Sequence, residues 1–350
     1  MNQEFKGIEI RAVSSCVPKN TIKNDFFDSL LSPKEIRLFE KTVGIIERRW
    51  ALEGVTASDL GFAAATKLFE TTPDLKENIG CIIFLSQTPD YKIPFSSNIL
   101  QARLELDKNI LCLDINAGCS GFIQGLSTAF SIAASKPKTK VLLIIAETMS
   151  KILSHQDRGT SMLFGDGASA IIIENTGEET VESYFNVFSD GEYADAIKIP
   201  DGGFRNKVTI DSFKAKDDGN GNMRNAIQLF MDGASVFDFT LREVSPSIEA
   251  LLQSSQNKTE DVDFFLLHQS NKFIINQIAT RLNIPKDKIL FNIDKFGNTS
   301  GVSIPLLLSS SADRIVNRKN LLFSGYGVGL NWGNCLLKNS SIKLTEIFEI

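Results

Sequence analysis

Histidine is scarce in this sequence, and tryptophan and tyrosine are nearly as rare. The 350 residues include two histidines, two tryptophans and four tyrosines, against 25 phenylalanines. Lysine and arginine number 37 and the acidic residues 42, so the net charge is −5. A chain without a basic surplus is a poor candidate for nucleic-acid binding. The phenylalanine-rich aromatic set instead favours apolar cores and tunnels.

Long hydrophobic runs and cysteine pairs are also missing. The longest apolar stretches, such as Val141–Ala146, have the length of a strand, whereas a membrane helix needs about 20 residues. The N-terminus lacks a basic segment followed by an apolar one, so we expect no secretory signal. The cysteines are odd in number and show no CxxC spacing: Cys16, Cys81, Cys112, Cys119 and Cys335. We therefore expect no disulfides, no metal site, no membrane segment and a reducing, cytoplasmic location.

Short β-rich runs alternate with helical patterns, which predicts an α/β fold. The strands expected in the first half are Ile8–Val13, Cys81–Ser86, Ile110–Ile115, Val141–Ala146 and Ala168–Glu174. Those expected in the second half are Asp263–Leu267, Ile289–Asn292, Asn320–Ser324 and Leu330–Leu337. Apolar residues at helical spacing predict a helix from Phe122, and one long helix over Asn225–Ser254 with an interruption near Ser245–Pro246.

The two halves of the chain repeat one pattern. In each half two strands are followed by a Gly-rich turn and a final strand, Gly165–Ile173 in the first and Gly325–Leu337 in the second. A shift of 182 residues carries Ser86 onto His268, which ends an expected strand. We therefore expect an N-terminal half, residues 1–180, and a C-terminal half, residues 181–350. Sites of α/β folds form in loops at the carboxyl ends of strands, so residues from both halves should converge.

A polar stretch, Phe185–Arg224, lies where the two halves meet. It is rich in Gly and Asp, as in DGEYADAIKIPDGG and KAKDDGNGNMRN. We interpret most of it as a solvated linker with surface loops. The alternative is that part of it covers the entrance to a site.

Cys119 is a candidate nucleophile. It follows an apolar strand and stands where a helix is expected to begin, and neighbouring glycines keep bulk away from it. The unpaired N–H groups and the positive end of a helix macrodipole stabilise a thiolate and lower the pKa of a cysteine. Its own N–H would help to bind an oxyanion. The alternative is a small buried apolar residue, the usual fate of a free cysteine.

Two further residues stand on expected strand-end loops. His268 ends the run FFLLHQSN, and Asn298 lies in the small-residue segment DKFGNTSG. A histidine after an apolar strand is often structural, and such an asparagine often forms an Asx-turn or a helix cap. Taken together, Cys119, His268 and Asn298 would supply a nucleophile, a base or donor, and a neutral donor.

Several long motifs together make the chain resemble the β-ketoacyl-acyl-carrier-protein synthases III of the thiolase superfamily. These motifs follow one another in the family's order almost from end to end. They are GIIERRWA (Gly44–Ala51), TPDYKIP (Thr88–Pro94), DINAGCSGF (Asp114–Phe122), DRGTSMLFGDGASA (Asp157–Ala170), MDGASVF (Met231–Phe237), LLHQSN (Leu266–Asn271), FGNTSGVSIP (Phe296–Pro305) and GYGVGLNWG (Gly325–Gly333).

The resemblance implies a thiolase-like five-layer αβαβα fold of two duplicated halves, a homodimer, and a decarboxylative Claisen condensation in fatty-acid biosynthesis. In this family Cys119 would carry the acyl group, and the backbone N–H groups of Cys119 and Val328 would hold the oxyanion. His268 and Asn298 would stabilise the enolate of malonyl-carrier protein. No bound cofactor and no metal is implied. Acyl-coenzyme A and the phosphopantetheine of acyl carrier protein would be substrates, and carrier protein a partner.

The sequence departs from the family at several substrate-binding positions. Many family members have a tryptophan near the position of Leu38, where it stacks on the coenzyme A adenine opposite an arginine that here resembles Arg158. Another arginine of the family is not clearly matched, and Lys41 is the nearest residue to it. A basic residue used in carrier docking aligns with Phe273, beside Lys272. The gating position, often phenylalanine, is Ile93. We therefore expect altered coenzyme A binding and a primer broader or longer than acetyl.

Other functions on the same scaffold remain open at this point. A thiolase would need a second catalytic cysteine, whereas Cys335 has the setting of a strand residue. A hydroxymethylglutaryl-type synthase would need a glutamate base beside the cysteine, and none is obvious nearby in sequence. An ester- or amide-forming acyltransferase would keep Cys119 and His268, although it would not need Asn298. A non-catalytic partner subunit commonly loses the nucleophile, which is present here.

Overall fold

The computed structural model of the chain describes residues 1–219 and 221–350 and centres on two β-sheets. The strands are β1 Asn2–Lys6, β2 Ile8–Val17, β3 Thr21–Lys23, β4 Glu47–Arg49, β5 Ile79–Leu85, β6 Leu111–Ile115, β7 Lys140–Glu147, β8 Gly167–Asn175, β9 Glu182–Ser189, β10 Ile197–Lys198, β11 Lys216–Asp217, β12 Met223–Arg224, β13 Phe230–Met231, β14 Phe264–Leu267, β15 Leu321–Gly327, β16 Asn331–Lys338, β17 Lys343–Leu344 and β18 Phe348–Glu349.

The α-helices connect and cover these strands. They are α1 Pro33–Thr42, α2 Ala57–Thr71, α3 Ser96–Arg103, α4 Gly121–Ala133, α5 Gly233–Phe239, α6 Ser245–Ser254, α7 Lys272–Arg281, α8 Ile293–Phe296, α9 Ser303–Ser310 and α10 Ala312–Ile315, with a π-helical turn at Thr240–Val244. Short 3₁₀ segments occur at Asn24–Phe27, Pro73–Lys76, Met149–Ile152, Gly191–Tyr193, Ile210–Phe213, Thr259–Asp261, Lys286–Lys288 and Ser300–Val302.

The two sheets share one strand arrangement. The larger has the order β17-β2-β8-β7-β5-β6, with β18 also paired to β2, and the other has β1-β9-β16-β15-β14. In both, a parallel pair (β7 with β5, β15 with β14) is followed by two antiparallel partners. The matching order is that of a duplicated unit. The chain ends exchange sheets, because β1 joins the second sheet while β17 and β18 join the first.

Five layers follow from the alternation of side chains along buried strands. On β5, Ile83 and Leu85 face a core with α4 and α9 between the sheets, while Ile82 and Phe84 face α2 on the outside. Successive strand residues point to opposite faces, so a central parallel strand is apolar on both. On the far side of the second sheet, α5, α6 and α7 build a separate core. The αβαβα layering expected from the resemblance is confirmed.

Two of the expected secondary-structure elements are wrong in extent. The helix expected over Asn225–Ser254 begins only at Gly233, because Asp232 caps it by accepting from the N–H groups of Ala234 and Ser235. Helical structure then continues through the π turn past Pro246. The strand expected at Ile289–Asn292 is reduced to a bridge between Ile289 and Phe265.

The helices of residues 1–219 and 221–350 do not include a membrane span. None of them is both long enough and apolar enough to cross a bilayer.

Candidate active site

A cavity of about 350 Å³ lies where strands of both sheets end. Cys119, from the first half, and His268, Asn298 and Val328, from the second, all line it. The parallel strands β5, β7, β14 and β15 bring their carboxyl ends to this region, so loops far apart in sequence meet there. The convergence expected from the repeated pattern is present.

Cys119 lies on the turn between β6 and α4, and its side chain is 7% exposed. The turn is closed by a 2.7 Å hydrogen bond from the N–H of Gly121 to the carbonyl of Gly118. Gly327 packs directly on the cysteine, at a φ of +156°. A Cβ added to Gly327 would lie 2.5 Å from the Cβ and 3.2 Å from the Sγ of Cys119. Glycine is therefore required at residue 327 to leave the thiol room.

The protonation of Cys119 differs from the expectation. Burial raises the pKa of its thiol to about 12, and this outweighs the lowering by a hydrogen bond with Ser300 and by the residue's own N–H. In the free protein the side chain is a thiol, because an isolated buried anion is costly. The expected thiolate, stabilised by the start of α4, is wrong for this state.

His268 follows β14 and is neutral. Burial lowers the pKa of its imidazole to about 3. Nδ1 lies 2.6 Å from the hydroxyl of Ser303, at the start of α9. We assign the Ser303 hydroxyl as donor, so the ring proton sits on Nε2. With Nδ1 occupied, Nε2 is the nitrogen available to the cavity that His268 lines.

Asn298 is held by the backbone on both sides. Its N–H donates to the carbonyl of Leu163 at 2.8 Å, and its carbonyl accepts from the N–H of Gly165 at 3.0 Å. The side-chain Oδ1 accepts a 2.9 Å hydrogen bond from the N–H of Ser300. Because the oxygen is engaged, the amide NH₂ is left to donate into the cavity.

Cys119 and Val328 each present a backbone N–H at the cavity wall, and neither donates to a backbone carbonyl of residues 1–219 and 221–350. Val328 follows β15 directly, and its carbonyl accepts from the side chain of Asn331 at 2.8 Å. Backbone N–H groups beside a thiol are suited to binding an oxyanion.

Part of the polar Phe185–Arg224 segment covers the cavity. Ile197 of β10 lines the cavity together with Leu229 and Met231. Met231 belongs to β13, the strand that pairs with β10. The walls here are mostly apolar, which suits an acyl chain. The linker interpretation is wrong for Phe185–Ser189, which belongs to strand β9 of the second sheet. Apart from the β10 strand, the described residues 190–219 and 221–224 form loops, 3₁₀ turns and a short hairpin of β11 with β12.

Comparison of the sequence and the fold with known proteins identifies one family. Residues 113–191 match the profile described as 3-oxoacyl-[acyl-carrier-protein (ACP)] synthase III, and residues 252–339 match its C-terminal counterpart. The β-ketoacyl-[acyl-carrier-protein] synthase III of Clostridium perfringens is 36% identical over 324 residues, 92% of this chain and 96% of the relative. That of Aliarcobacter butzleri is 32% identical over 338 residues, 95% of this chain and 98% of the relative.

The chain belongs to the β-ketoacyl-acyl-carrier-protein synthase III family. The solved 3-oxoacyl-(acyl-carrier protein) synthase of Burkholderia xenovorans LB400 has the same fold, with a TM-score of 0.92 at 32% identity, over 100% of this chain and 99% of that one. Family membership makes the chain an acyltransferase of the condensing-enzyme type.

The expected coenzyme A contact, Arg158, stands in the cavity wall with a carboxylate beside it. Its guanidinium is paired with Glu35 in the first turn of α1. Hydrogen bonds from Ser32, and then from Arg158, lower the pKa of Glu35 to about 2. An anionic ligand that approaches Arg158 therefore has to compete with the carboxylate of Glu35. Sequence reasoning did not single out Glu35, since nothing local ties residue 35 to residue 158.

The other expected substrate-binding residues lie outside the cavity of the single chain. Ile93 is 82% exposed and does not line it. Phe273 is 46% exposed and stacks on Phe237, which does line the cavity, with ring centroids 5.9 Å apart. Lys272 lies 5.9 Å from the ring of Phe291. These residues therefore lie near the opening or elsewhere on the surface.

Sequence reasoning also missed Glu147 and Ser300, which lie behind Cys119. Ser300 contacts the sulfur, and its hydroxyl donates a hydrogen bond to the carboxyl of Glu147, the last residue of β7. A glutamate that ends the apolar strand KVLLIIAE could have been noticed as a polar residue at a carboxyl strand end. Within the described residues, no three His, Cys, Asp or Glu side chains are grouped so that they could hold a metal ion.

Proposed function

We propose that this chain forms a 3-oxoacyl thioester by decarboxylative Claisen condensation of an acyl primer with malonyl-acyl-carrier protein, through an acyl group carried on Cys119. The observation that carries the proposal is one cavity lined by Cys119, His268 and Asn298 together. Residues 1–180 would supply the nucleophile, and residues 181–350 the two side-chain donors. The family profile and relatives support the same reaction class.

The first step transfers the primer to Cys119. The sulfur bonds to the thioester carbon of the primer, and the carbonyl oxygen becomes an oxyanion. The N–H groups of Cys119 and Val328 would hold this oxyanion, because backbone donors at the wall need no reorganisation. The bond to the carrier sulfur then breaks, and the carrier leaves as a thiol with the proton lost by Cys119. Acyl-coenzyme A or acyl-carrier protein would serve as primer.

The second step uses the two side-chain donors. Nε2–H of His268 and the amide of Asn298 would donate to the thioester oxygen of malonyl-carrier protein. As the carbon–carboxylate bond breaks and CO₂ leaves, its electron pair forms an enolate that these donors stabilise. The enolate carbon attacks the acyl carbon on Cys119, and the carbon–sulfur bond breaks. The cysteine sulfur is released and regains a proton.

The orientation of Asn298 argues against an ester- or amide-forming acyltransferase. Its amide is aimed by the N–H of Ser300 toward the cavity, a donor that an acyl transfer without decarboxylation would not need. A non-catalytic subunit is disfavoured because the cysteine, both donors and an open cavity are all present.

The apolar walls support a primer longer than acetyl. Met149, Phe164, Ile197, Leu229 and Met231 extend the cavity beyond the cysteine. An acyl chain placed there would bury apolar surface, at about 25 cal/mol per Å². Lys272 and Phe273, at the start of α7, would contact the carrier protein near the opening.

We also propose a homodimer. Strand β6 is one edge of the larger sheet, and Leu111 on it is 52% exposed. Tyr91, Ile93 and Phe95 on the preceding loop are exposed apolar side chains as well. Free edges and contiguous apolar surface favour association with a second copy. Ile93 would then act on the cavity only within that dimer. With all five cysteines free, we propose a cytoplasmic location.

A donor panel tests the proposed function. The protein is mixed with acetyl, medium- and long-chain acyl donors on coenzyme A and on carrier protein, and intact mass identifies acylated Cys119. Malonyl-carrier protein is then added, and CO₂ and 3-oxoacyl product are measured. We expect acylation at Cys119 followed by malonyl-dependent CO₂ release. Acylation without CO₂ would favour the plain acyltransferase, absence of any adduct would favour the scaffold, and a marked preference for acetyl would overturn the longer primer.

A further inference from the structure

The carboxyl of Glu147 is buried behind the cavity wall without a cation beside it. Both oxygens lie 3.2 Å from the N–H of Gln87, and Oε2 accepts from the hydroxyl of Thr88 at 3.0 Å and that of Ser86 at 3.4 Å. No lysine or arginine pairs with it among residues 1–219 and 221–350. Burial raises its pKa to about 8, so the group gains or loses a proton near neutral pH.

Ser300 connects this carboxyl with the cysteine. Its hydroxyl lies 3.4 Å from Oε1 of Glu147 and 3.9 Å from Sγ of Cys119. Ser300 is fully buried and has a φ of +53°, a conformation in which glycine is less strained than any L-residue. A side chain retained at such a position is a reason to examine its hydroxyl for function.

We propose that Ser300 makes Glu147 and Cys119 a coupled pair that shares one proton. This inference rests on the proposed role of Cys119 as nucleophile. In one form the sulfur carries the proton and Glu147 is a carboxylate. In the other, the S–H bond has broken, its proton has gone to the Ser300 oxygen, and the Ser300 proton has gone to Oε1. The result is a thiolate and a carboxylic acid, with no net gain or loss of protons. Glu147 is thus a positioning residue that acts through Ser300.

The neighbouring titratable groups cannot replace Glu147. Those facing the cluster are His268 after β14, Tyr326 of β15, and the pair itself. The imidazole of His268, with its pKa near 3, is a poor proton acceptor. The phenol of Tyr326 has its pKa raised by burial and keeps its own proton. Two anions in one buried site repel each other, so the pair loses its protons in two separate steps.

The test is the pH dependence of Cys119 alkylation by iodoacetamide, followed by peptide mass between pH 6 and 10. For the wild type, log rate should rise with pH and level off near pH 8, because ionised Glu147 opposes a thiolate. Glu147→Gln should match the wild type within about threefold at pH 7. The alkylation rate of the variant should keep rising above pH 8 and be up to about a hundredfold higher than that of the wild type at pH 10. The reason is that no ionised carboxyl then opposes the thiolate over the two pH units above 8. Identical profiles for the two proteins would overturn the proposal.

Ser300→Gly tests the hydroxyl without endangering the fold, because glycine relieves the positive φ. We expect unchanged or higher thermal stability and alkylation about 10- to 100-fold slower at pH 7, the usual effect of losing a hydrogen bond to a charged group. If Cys119 in this variant were alkylated at the wild-type rate, and that rate levelled off near pH 8 as in the wild type, the role of Ser300 as a bridge between Glu147 and Cys119 would be overturned. Asp166→Asn is the control, because it alters another buried carboxyl, one that is bound to Ser150, and it should keep the wild-type pH profile. If it changed the profile as much as Glu147→Gln does, the effect would be a general disturbance of the fold and the proposal would be overturned.

Alkylation does not require substrate, so this test is separate from the proposed function. The predicted profiles in a protein that forms no 3-oxoacyl product would support the proton sharing and refute the condensation. Product formation with identical profiles for wild type and Glu147→Gln would do the reverse.

Discussion

The hydroxyl of Ser303 lies 2.6 Å from Nδ1 of His268, and this contact determines which ring nitrogen faces the cavity. With Nδ1 accepting, the neutral ring presents Nε2–H as a donor. The proposed role of His268 as a donor to an enolate oxygen therefore depends on a residue at the start of α9.

Ser303→Ala should weaken condensation more than self-acylation. Without the hydroxyl, the imidazole can turn or change tautomer, and we expect malonyl-dependent CO₂ release to fall about tenfold. Acylation of Cys119, followed by intact mass, should stay within about twofold. Ser254→Ala, at an exposed serine of α6, serves as the control. An equal decline in both steps would contradict the positioning role.

His268→Ala and Asn298→Ala should separate the two half-reactions. Each removes one donor to the malonyl thioester oxygen, and we expect CO₂ release to drop by about 10²–10³. Self-acylation should keep most of its rate, because its oxyanion would be bound by backbone N–H groups. The exposed Asn276→Ala provides a matched control. If acylation and decarboxylation were lost together, the division of roles between Cys119 and the two donors would be wrong.

Glu35→Gln should improve the use of acyl-coenzyme A. The substitution removes the counter-ion of Arg158 at the cavity wall, so phosphates meet a free guanidinium. We expect KM for acyl-coenzyme A to fall several-fold with kcat unchanged, and the gain to shrink at high salt as charges are screened. Glu70→Gln, an exposed glutamate of α2, controls for net charge. An unchanged KM would show that Arg158 does not contact this ligand.

Glu147 should make the folded state less stable as pH rises. Its pKa is about 8 when folded and about 4.3 when unfolded, so folding takes up a proton between these values. The stability it contributes is complete below about pH 4.3 and is lost as pH rises through 8, by on the order of 5 kcal/mol. Urea unfolding at pH 5 and pH 9 should show a larger loss for wild type than for Glu147→Gln. Parallel losses would place the pKa of Glu147 near its ordinary value.

The strand positions along the chain and the candidate site residues were predictable because they leave local signals. Runs such as Val141–Ala146 are apolar throughout, as central parallel strands must be when both faces are buried. His268 and Asn298 stand out as polar residues directly after such segments or among small ones. The helix expected from Asn225 was predicted to start too early, since it begins at Gly233. Apolar residues there, including Leu229, line a cavity instead of a helix face.

The protonation of Cys119 could not be predicted from its neighbours in sequence. A helix start favours a thiolate, but burial by Gly327 and the surrounding walls opposes it more strongly. The size of that opposition depends on how closely two sheets pack, which no local pattern records. The same holds for Glu35 and Arg158, whose pairing joins residues 123 positions apart.

By itself, the sequence determined the α/β layering, the repeated strand pattern and the three side chains that meet, since alternation, glycine turns and motif order are encoded locally. Only the tertiary structure brought Ser300 and Glu147 behind the sulfur and buried most of the cysteine in the cavity wall. Electrostatic free energies depend on distance and solvent exposure in three dimensions. For that reason the proposed nucleophile could be chosen from the sequence, while its charge depended on the fold.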